Sequence, residues 1–274
     1  MGEYCYHIMT ELKKHLRSYY LPVKFFFQKT IKRPFHIGNK YECPICGFHA
    51  KDLGYRGIYS EVTEKYQIIG MGQRKASCWK CNSTDKERLV FLYLRDVEKL
   101  FDGTFPEKIL HLAPEKGIAR HIIMNKNLNY VCGDYFAEGY SYPSYVKRMN
   151  ALCLPFPTNQ FDLLICNHVL EHIEDDRKAM SEFYRVLKKG GKAILQVPIS
   201  PILPETIEDS NATLPSEKYL RFGQNDHVRI YGMDYKERLE KIGFRLEVFH
   251  FPDPVINKYG LNRREDIYIC HKDL

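Results

Sequence analysis

Two C-x-x-C pairs, Cys43-Pro-Ile-Cys46 and Cys78-Trp-Lys-Cys81, are separated by 31 residues. Each pair can present two sulfurs from one tight turn, and a tetrahedral ion such as Zn2+ then closes the loop between the turns. Four thiolates leave no coordination position open, so this chemistry is structural. Two disulfides are the alternative reading, disfavoured for a chain kept in a reducing compartment. A second constellation is Asp226-His227-Val228-Arg229. It sets an imidazole that titrates near neutrality beside a carboxylate that can orient it, two residues from a fixed cation that can hold an anionic or polar group. Structural hydrogen bonding is the other use of such a histidine. A third is the stretch Ile109-Leu-His-Leu-Ala-Pro-Glu-Lys-Gly117, an apolar run, a turn and then a helical pattern. A dinucleotide site would place G-x-G-x-x-G there, and only Gly117 remains, so a dehydrogenase loses its main support. Glu115 could answer a cationic ligand or cap the helix that follows, where free amides and the positive end of the helix dipole attract a carboxylate.

These groups need elements to position them. Downstream of the second cysteine pair, helical and strand patterns alternate. NSTDKERLVFLYLRDVEKLF opens with polar capping residues and carries Leu89, Phe91, Leu92, Leu94 and Val97 on one stripe. Strand patterns follow at KILHLA, NYVCGDY, SYVKRMNA, FDLLICNHV, KAILQVP, FRLEVFHF and DIYIC, with helical patterns at IARHIIMN, DDRKAMSEFYRVLKKGG and DYKERLEKIG. Strands alternating with helices predict an α/β fold with a seven-stranded, mostly parallel sheet covered on both faces. The last two strands are joined by a proline-containing loop without helical period, which predicts an antiparallel hairpin at the sheet edge. Between the cysteine pairs, YRGIYSEV and YQIIGM alternate like strands, as in a zinc ribbon.

The 274 residues divide into a basic extension at 1–40, a ribbon-like module at 41–85 and the α/β domain at 86–274. The net charge of +7 lies wholly in residues 1–108, with 19 Lys/Arg against 12 Asp/Glu, whereas the remainder carries 22 of each. Basic residues interleaved with Tyr19, Tyr20, Phe25, Phe26 and Phe27 suit an RNA or an anionic surface, or simply a solvated face. No apolar run reaches the roughly 18 residues needed to span a bilayer. The first 20 residues lack a signal-peptide core, Tyr6 excludes a myristoylation signal, and the terminal HKDL would not be read as a retention address without such a peptide, so a cytoplasmic chain is expected.

Residues 146–198, VKRMNALCLPFPTNQFDLLICNHVLEHIEDDRKAMSEFYRVLKKGGKAILQVP, resemble the central block of class I S-adenosylmethionine-dependent methyltransferases of type 11, in which LPF, FD, VLEHI, RVLKKGG and a following strand recur in this order. About 140 residues from Lys108 onward can be laid on that pattern. A narrower resemblance, to methyltransferases with two amino-terminal knuckles, a His-x-Ala-Pro-Glu turn and a late FGQxDHVRxYG segment (here residues 222–232), covers the whole chain. The resemblance implies a Rossmann-like methyltransferase sheet, adenosylmethionine as cofactor and structural zinc. It puts His111 at the usual acidic position of the first strand, Ala113 and Glu115 at the first two glycine positions and Gly117 at the third. It gives Asp134 the ribose hydroxyls, with a turn-forming aspartate as the alternative, and gives Asn150-Ala151 the adenine. Asn167 and His168 fall at the cofactor edge. His227 becomes the base, with Asp226 beside it and Arg229 toward the acceptor, whereas Glu171 and His172 read equally well as a solvated pair. The acceptor would be a small molecule or sugar rather than RNA. The competing reading is a degenerate methyltransferase fold that binds nucleic acid or protein. Sequence is silent on oligomeric state.

Overall fold

The computed structural model describes residues 31–103, 108–136 and 141–274. The basic segment therefore lies outside the described residues up to position 30. No helix among the described residues is long and apolar enough to cross a membrane.

The central sheet is built from β5 (Lys108–Leu112), β6 (Asn129–Asp134), β7 (Lys147–Arg148), β8 (Phe161–Asn167), β9 (Leu187–Gln196), β12 (Arg245–Phe249) and β13 (Ile267–His271). Their spatial order is β12-β13-β9-β8-β5-β6-β7. Strands β5 to β9 pair in parallel, and β13 runs antiparallel between β9 and β12. The seven-stranded, mostly parallel sheet expected from the alternation is thus present. Parallel strands covered on both faces must be apolar along their length, and Leu163 to Cys166 are fully buried. Side chains alternate across the sheet. One face buries Leu110, Leu164, Ala193 and Leu195 against helix α4 (Asp176–Val186) and helix α6 (Tyr235–Ile242). The other buries Ile109, Leu163, Ile165 and Ile194 against α2 (Asp85–Leu92), α3 (Lys116–Met124) and α7 (Asp253–Tyr259). Thr84 starts α2 by accepting from the Glu87 amide, and Asp175 starts α4 by accepting from that of Lys178, as N-caps do.

The chain leaves β5 toward β6 and β7, then returns to lay β8 on the opposite side of β5. Strand order reverses between β5 and β8, and at such a point the carboxyl ends of the strands open a crevice suited to ligands. In register, Leu112 pairs with both Gly133 and Cys166. Ala113, Asp134 and Asn167 consequently emerge side by side on the same edge.

Two local expectations are corrected, and two further features of the fold bear on the site. The YQIIGM segment is no strand; the ribbon region has β1 (Ile37–Glu42) paired with β2 (His49–Ala50), β3 (Gly54–Arg56) paired with β4 (Arg74–Ser77), and the short helix α1 (Glu61–Lys65) between the last two. The β12–β13 connection does contain a helix, α7. Its prolines fall at the amino end, where a missing N–H is harmless, and Gly260 closes it with φ of 60°. The late loop is folded as well: β10 (Ile207–Glu208) pairs with β11 (Arg229–Ile230), and α5 (Pro215–Phe222) lies between them. Finally, the knuckles have no core of their own. Cys43, Ile45 and Cys78 belong to the same apolar cluster as Ile109, Ile165 and Ile194 of the sheet.

Candidate functional site

The two cysteine turns are built alike. The Gly47 amide donates to the Cys43 carbonyl and the Asn82 amide to that of Cys78, both at 2.9 Å, while the Cys43 and Cys78 amides donate to Phe48 and Ser83 at 2.9 Å. Gly47 and Asn82 sit at matching positions with φ of 66° and 61°. Matched turns aim four sulfurs inward, with Cys43 to Cys81 and Cys46 to Cys78 at 3.6 Å and all four Sγ atoms within 4.8 Å of one another. Zn–S bonds of about 2.3 Å at tetrahedral angles place sulfurs about 3.8 Å apart, so the group fits such an ion. Hydrogen bonding to Cys43 pushes the Cys46 and Cys78 thiols up, and the neighbouring thiols push Cys43 down. The protons thus crowd onto part of the set, and an ion would displace them.

At the crevice, His111 is fully buried on β5. Its Nδ1 shares a 2.9 Å hydrogen bond with the Tyr130 hydroxyl on β6, and its Nε2 lies 2.8 Å from Glu115 Oε2. Asn167 Nδ2, at the end of β8, donates to Glu115 Oε1 at 3.0 Å. Burial pushes the Glu115 carboxyl up, but His111 and Asn167 more than offset it and hold the group below its usual range. Glu115 occupies the cap position of α3 without a capping bond; its carboxylate instead reaches back to β5. The negative group absent from position 111 is returned from the turn four residues later. Asn167 Oδ1 is buried without a partner among the described residues. Asp134 is half-buried at the end of β6. Asn150 is exposed and closes a local turn by accepting from the Leu152 amide at 2.9 Å, with Ala151 half-buried beside it.

Two residues of the turn have physical explanations. A Cβ on Gly117 would stand 2.9 Å from Ile45 Cγ2, so this glycine admits the first knuckle onto the start of α3. Ala113 adopts φ of 49°, a left-handed conformation that costs a residue with a Cβ about 1–2 kcal/mol. Replacing Ala113 with glycine should recover part of that, raising unfolding free energy by about 0.5–1 kcal/mol after the greater freedom of glycine in the unfolded chain is counted. Urea denaturation checks it, and a destabilised variant would show that the methyl group packs favourably.

The late-loop residues are placed differently from the sequence expectation. His227 is 2% exposed and burial pushes it down to about 4. Asp226 does not orient it: its Oδ2 lies 3.4 Å from His172 Nδ1 and its main-chain oxygen 3.3 Å from the same atom. Arg229 is not free to hold an acceptor. Its guanidinium donates to the carbonyls of Leu170, Ile173 and Glu174 and to the Glu208 carboxylate, and the residue is 3% exposed. The Val228 amide donates to the Glu171 carbonyl at 2.9 Å. The loop is thereby fastened to the turn after β8, and His227 packs edge-on against His172 with ring centres 4.6 Å apart. Glu171, for which the sequence leaves a solvated and a catalytic reading open, is 2% exposed. Burial pushes its carboxyl up, yet the facing imidazoles of His168, His172 and His227 bring it down to about 2. Only the fold, which carries residue 227 back over residue 171, reveals this grouping; the sequence held no signal for the nearby Glu265.

Residues of this edge fall in or near the stretch that known proteins share. A ubiquinone/menaquinone biosynthesis C-methyltransferase, UbiE, of Francisella tularensis subsp. novicida is 42% identical over 57 residues, which is 21% of this chain and 23% of that protein. The methyltransferase YcgJ of Bacillus subtilis is 39% identical over 68 residues, 24% of this chain and 27% of that protein. The chain thus matches only about a quarter of the length of these relatives. Among solved structures, a SAM-dependent methyltransferase from Archaeoglobus fulgidus is 17% identical, covering 66% of this chain and 92% of that chain with a TM-score of 0.41. From the first turn of α3 to the last residues of β9, residues 117–195 match the family model described as a methyltransferase domain.

Proposed function

We propose that this chain transfers a methyl group from adenosylmethionine to an acceptor held over the carboxyl edge of the sheet, and that Cys43, Cys46, Cys78 and Cys81 hold a structural zinc ion. The reading is carried by one observation: Asp134, Glu115 and Asn167 converge at the point of strand reversal, within and beside the segment that matches a methyltransferase domain. The donor set suits the cofactor. Glu115, held ionised, and the unpartnered Asn167 Oδ1 offer acceptors to an ammonium group; Asp134 offers a carboxylate to the ribose hydroxyls, and Asn150-Ala151 the adenine contact. The cofactor's sulfonium is itself a good leaving group. The protein's share is then to hold the acceptor in line and exclude water, which is mainly a matter of positioning.

For the acceptor, a small molecule is favoured over RNA. A groove of about 480 Å3 is lined by Ile58, Pro215, Tyr219, Leu220, Gln224 and Asn225 among others, and the last two lead directly into Asp226 and His227. Its walls are largely apolar. The unpaired thiols of Cys132, Cys153, Cys166 and Cys270 suit a reducing compartment such as the cytoplasm.

Calorimetry with adenosylmethionine tests the reading. Asp134→Ala should weaken binding by about 1.5–3 kcal/mol, roughly 10- to 150-fold in Kd, the range for a hydrogen bond to a charged group. A wild-type protein that binds neither adenosylmethionine nor its demethylated product would leave the second reading, a binding module. That reading draws on Ala113 and on a Glu115 carboxylate already engaged by His111 and Asn167. Methyl transfer from labelled cofactor into fractionated cell extract, with RNA and small-molecule fractions kept apart, identifies the acceptor class.

A further inference from the structure

Buried polar side-chain atoms without a hydrogen-bond partner are rare in folded proteins and call for an explanation. Of the seven such atoms among the described residues, five belong to Asn167, His168, Glu171 and Glu265. Four of these, His168 Nδ1 and Nε2, Glu171 Oε2 and Glu265 Oε2, lie in one cluster: His168 Nδ1 is 3.5 Å from Glu171 Oε1, and His168 Nε2 is 3.8 Å from Glu265 Oε1. His172 Nε2 faces the same Glu171 Oε1 at 4.0 Å. Ligand atoms of Glu171, His172 and His227 all lie within 4.8 Å of one another.

We infer that Glu171, His172 and His227 form a second metal site, distinct from the knuckles, for a divalent first-row transition ion. Two imidazoles and one carboxylate are a donor set for Zn2+, Fe2+ or Co2+ rather than for Ca2+ or Mg2+, which take oxygen ligands. Metal–ligand bonds of about 2.0–2.2 Å bring neighbouring donors to about 3–3.5 Å, so donors now within 4.8 Å of one another would draw together on binding. The surroundings match a metal centre in a second respect. A ligating histidine is held by a carboxylate or carbonyl on its other nitrogen, and His172 Nδ1 faces both the carboxylate and the main-chain oxygen of Asp226 while its Nε2 turns to Glu171. Arg229 and the Val228 amide clamp residues 170–174 to the loop that carries His227, fixing the donors relative to each other. Three protein donors leave positions on the ion for water or for an oxygen of the acceptor; that last clause rests on the methyl-transfer reading, whereas ion binding does not. The competing arrangement is charge balance by Lys86, which faces Glu265 and Glu171 from α2.

The full chain carrying one zinc per molecule is titrated with Co2+. The expected result is one further equivalent bound, with the weak visible bands of nitrogen and oxygen coordination and without an intense thiolate-to-cobalt charge-transfer band. Glu171→Gln, which keeps the side chain's size, should weaken Co2+ binding at least 100-fold with zinc content still at one per chain. Asp226→Asn, whose side chain meets the site at His172 Nδ1, should weaken it roughly 10- to 100-fold. No cobalt beyond one equivalent of zinc, a thiolate band alone, or unchanged affinity in Glu171→Gln would overturn the inference. Should His227→Ala fail to fold, the wild-type titration and the Glu171→Gln variant still decide. Calorimetry with adenosylmethionine on the cobalt-free protein separates the two claims: cofactor binding without cobalt binding defeats the metal site alone, and the converse defeats methyl transfer alone.

Discussion

Removing the proposed zinc ion from the four knuckle thiolates should unfold the chain in a single transition, the sheet along with the ribbon. A structural zinc of this kind contributes on the order of 10 kcal/mol or more to the folded state, as much as the whole net stability of a typical domain. With separate cores the ribbon would unfold first. Instead Cys43, Ile45 and Cys78 pack in one cluster with Leu89 and Phe91 of α2, Ile118 of α3 and Ile109, Ile165 and Ile194 of the sheet. Releasing the knuckles uncovers the apolar side chains they pack against on that face. Chelation followed by near- and far-ultraviolet circular dichroism should show both signals lost together, and Cys78→Ser should behave as the chelated protein does. Retention of the sheet's own melting transition after complete zinc loss would refute the coupling.

The second large effect is expected at Arg229. Removing one partner of a buried ionic network costs up to about 3–5 kcal/mol, and here the loss falls mainly on the 4% exposed Asp176 and on main-chain carbonyls left without a donor. In Arg229→Ala the carbonyls of Leu170, Ile173 and Glu174 lose a donor, and Asp176 and Glu208 lose one of the two arginines that face them, Arg238 being the other. Arg229→Lys restores the charge without the planar fork, and should recover less than half of the loss. Urea unfolding of the three proteins measures it. An Arg229→Ala protein within about 0.5 kcal/mol of wild type, impaired only in acceptor KM, would return Arg229 to the acceptor site.

Much of this was legible in the chain. The central strands KILHL and FDLLICN announce themselves because burial on both faces requires unbroken apolar runs, and the paired cysteines because tetrahedral ligation demands two tight turns. Long-range partnership was not legible. Glu115 meets Asn167 across 52 positions only because β8 lies beside β5, and nothing in the turn's own sequence distinguishes that from a helix cap. Arg229 reads as a free cation because most of its partners are main-chain carbonyls, which every residue possesses and no sequence marks. Helix α7 is hidden because prolines that break helices also begin them. The single surviving glycine of the turn looked like a cofactor residue, whereas its hydrogen atom faces Ile45.

That last contact reaches beyond stability. Ile45 stands in the first cysteine turn and Gly117 at the start of α3, and any larger residue at 117 must displace Ile45, because its Cβ would stand 2.9 Å from Ile45 Cγ2. A residue other than glycine at 117 is therefore expected only beside a smaller residue at 45. A ribbon grafted from a divergent relative is expected to seat on α3 only where its own residue at position 45 is no bulkier than isoleucine, so a chimaera exchanging that stretch alone meets its first test at this seam.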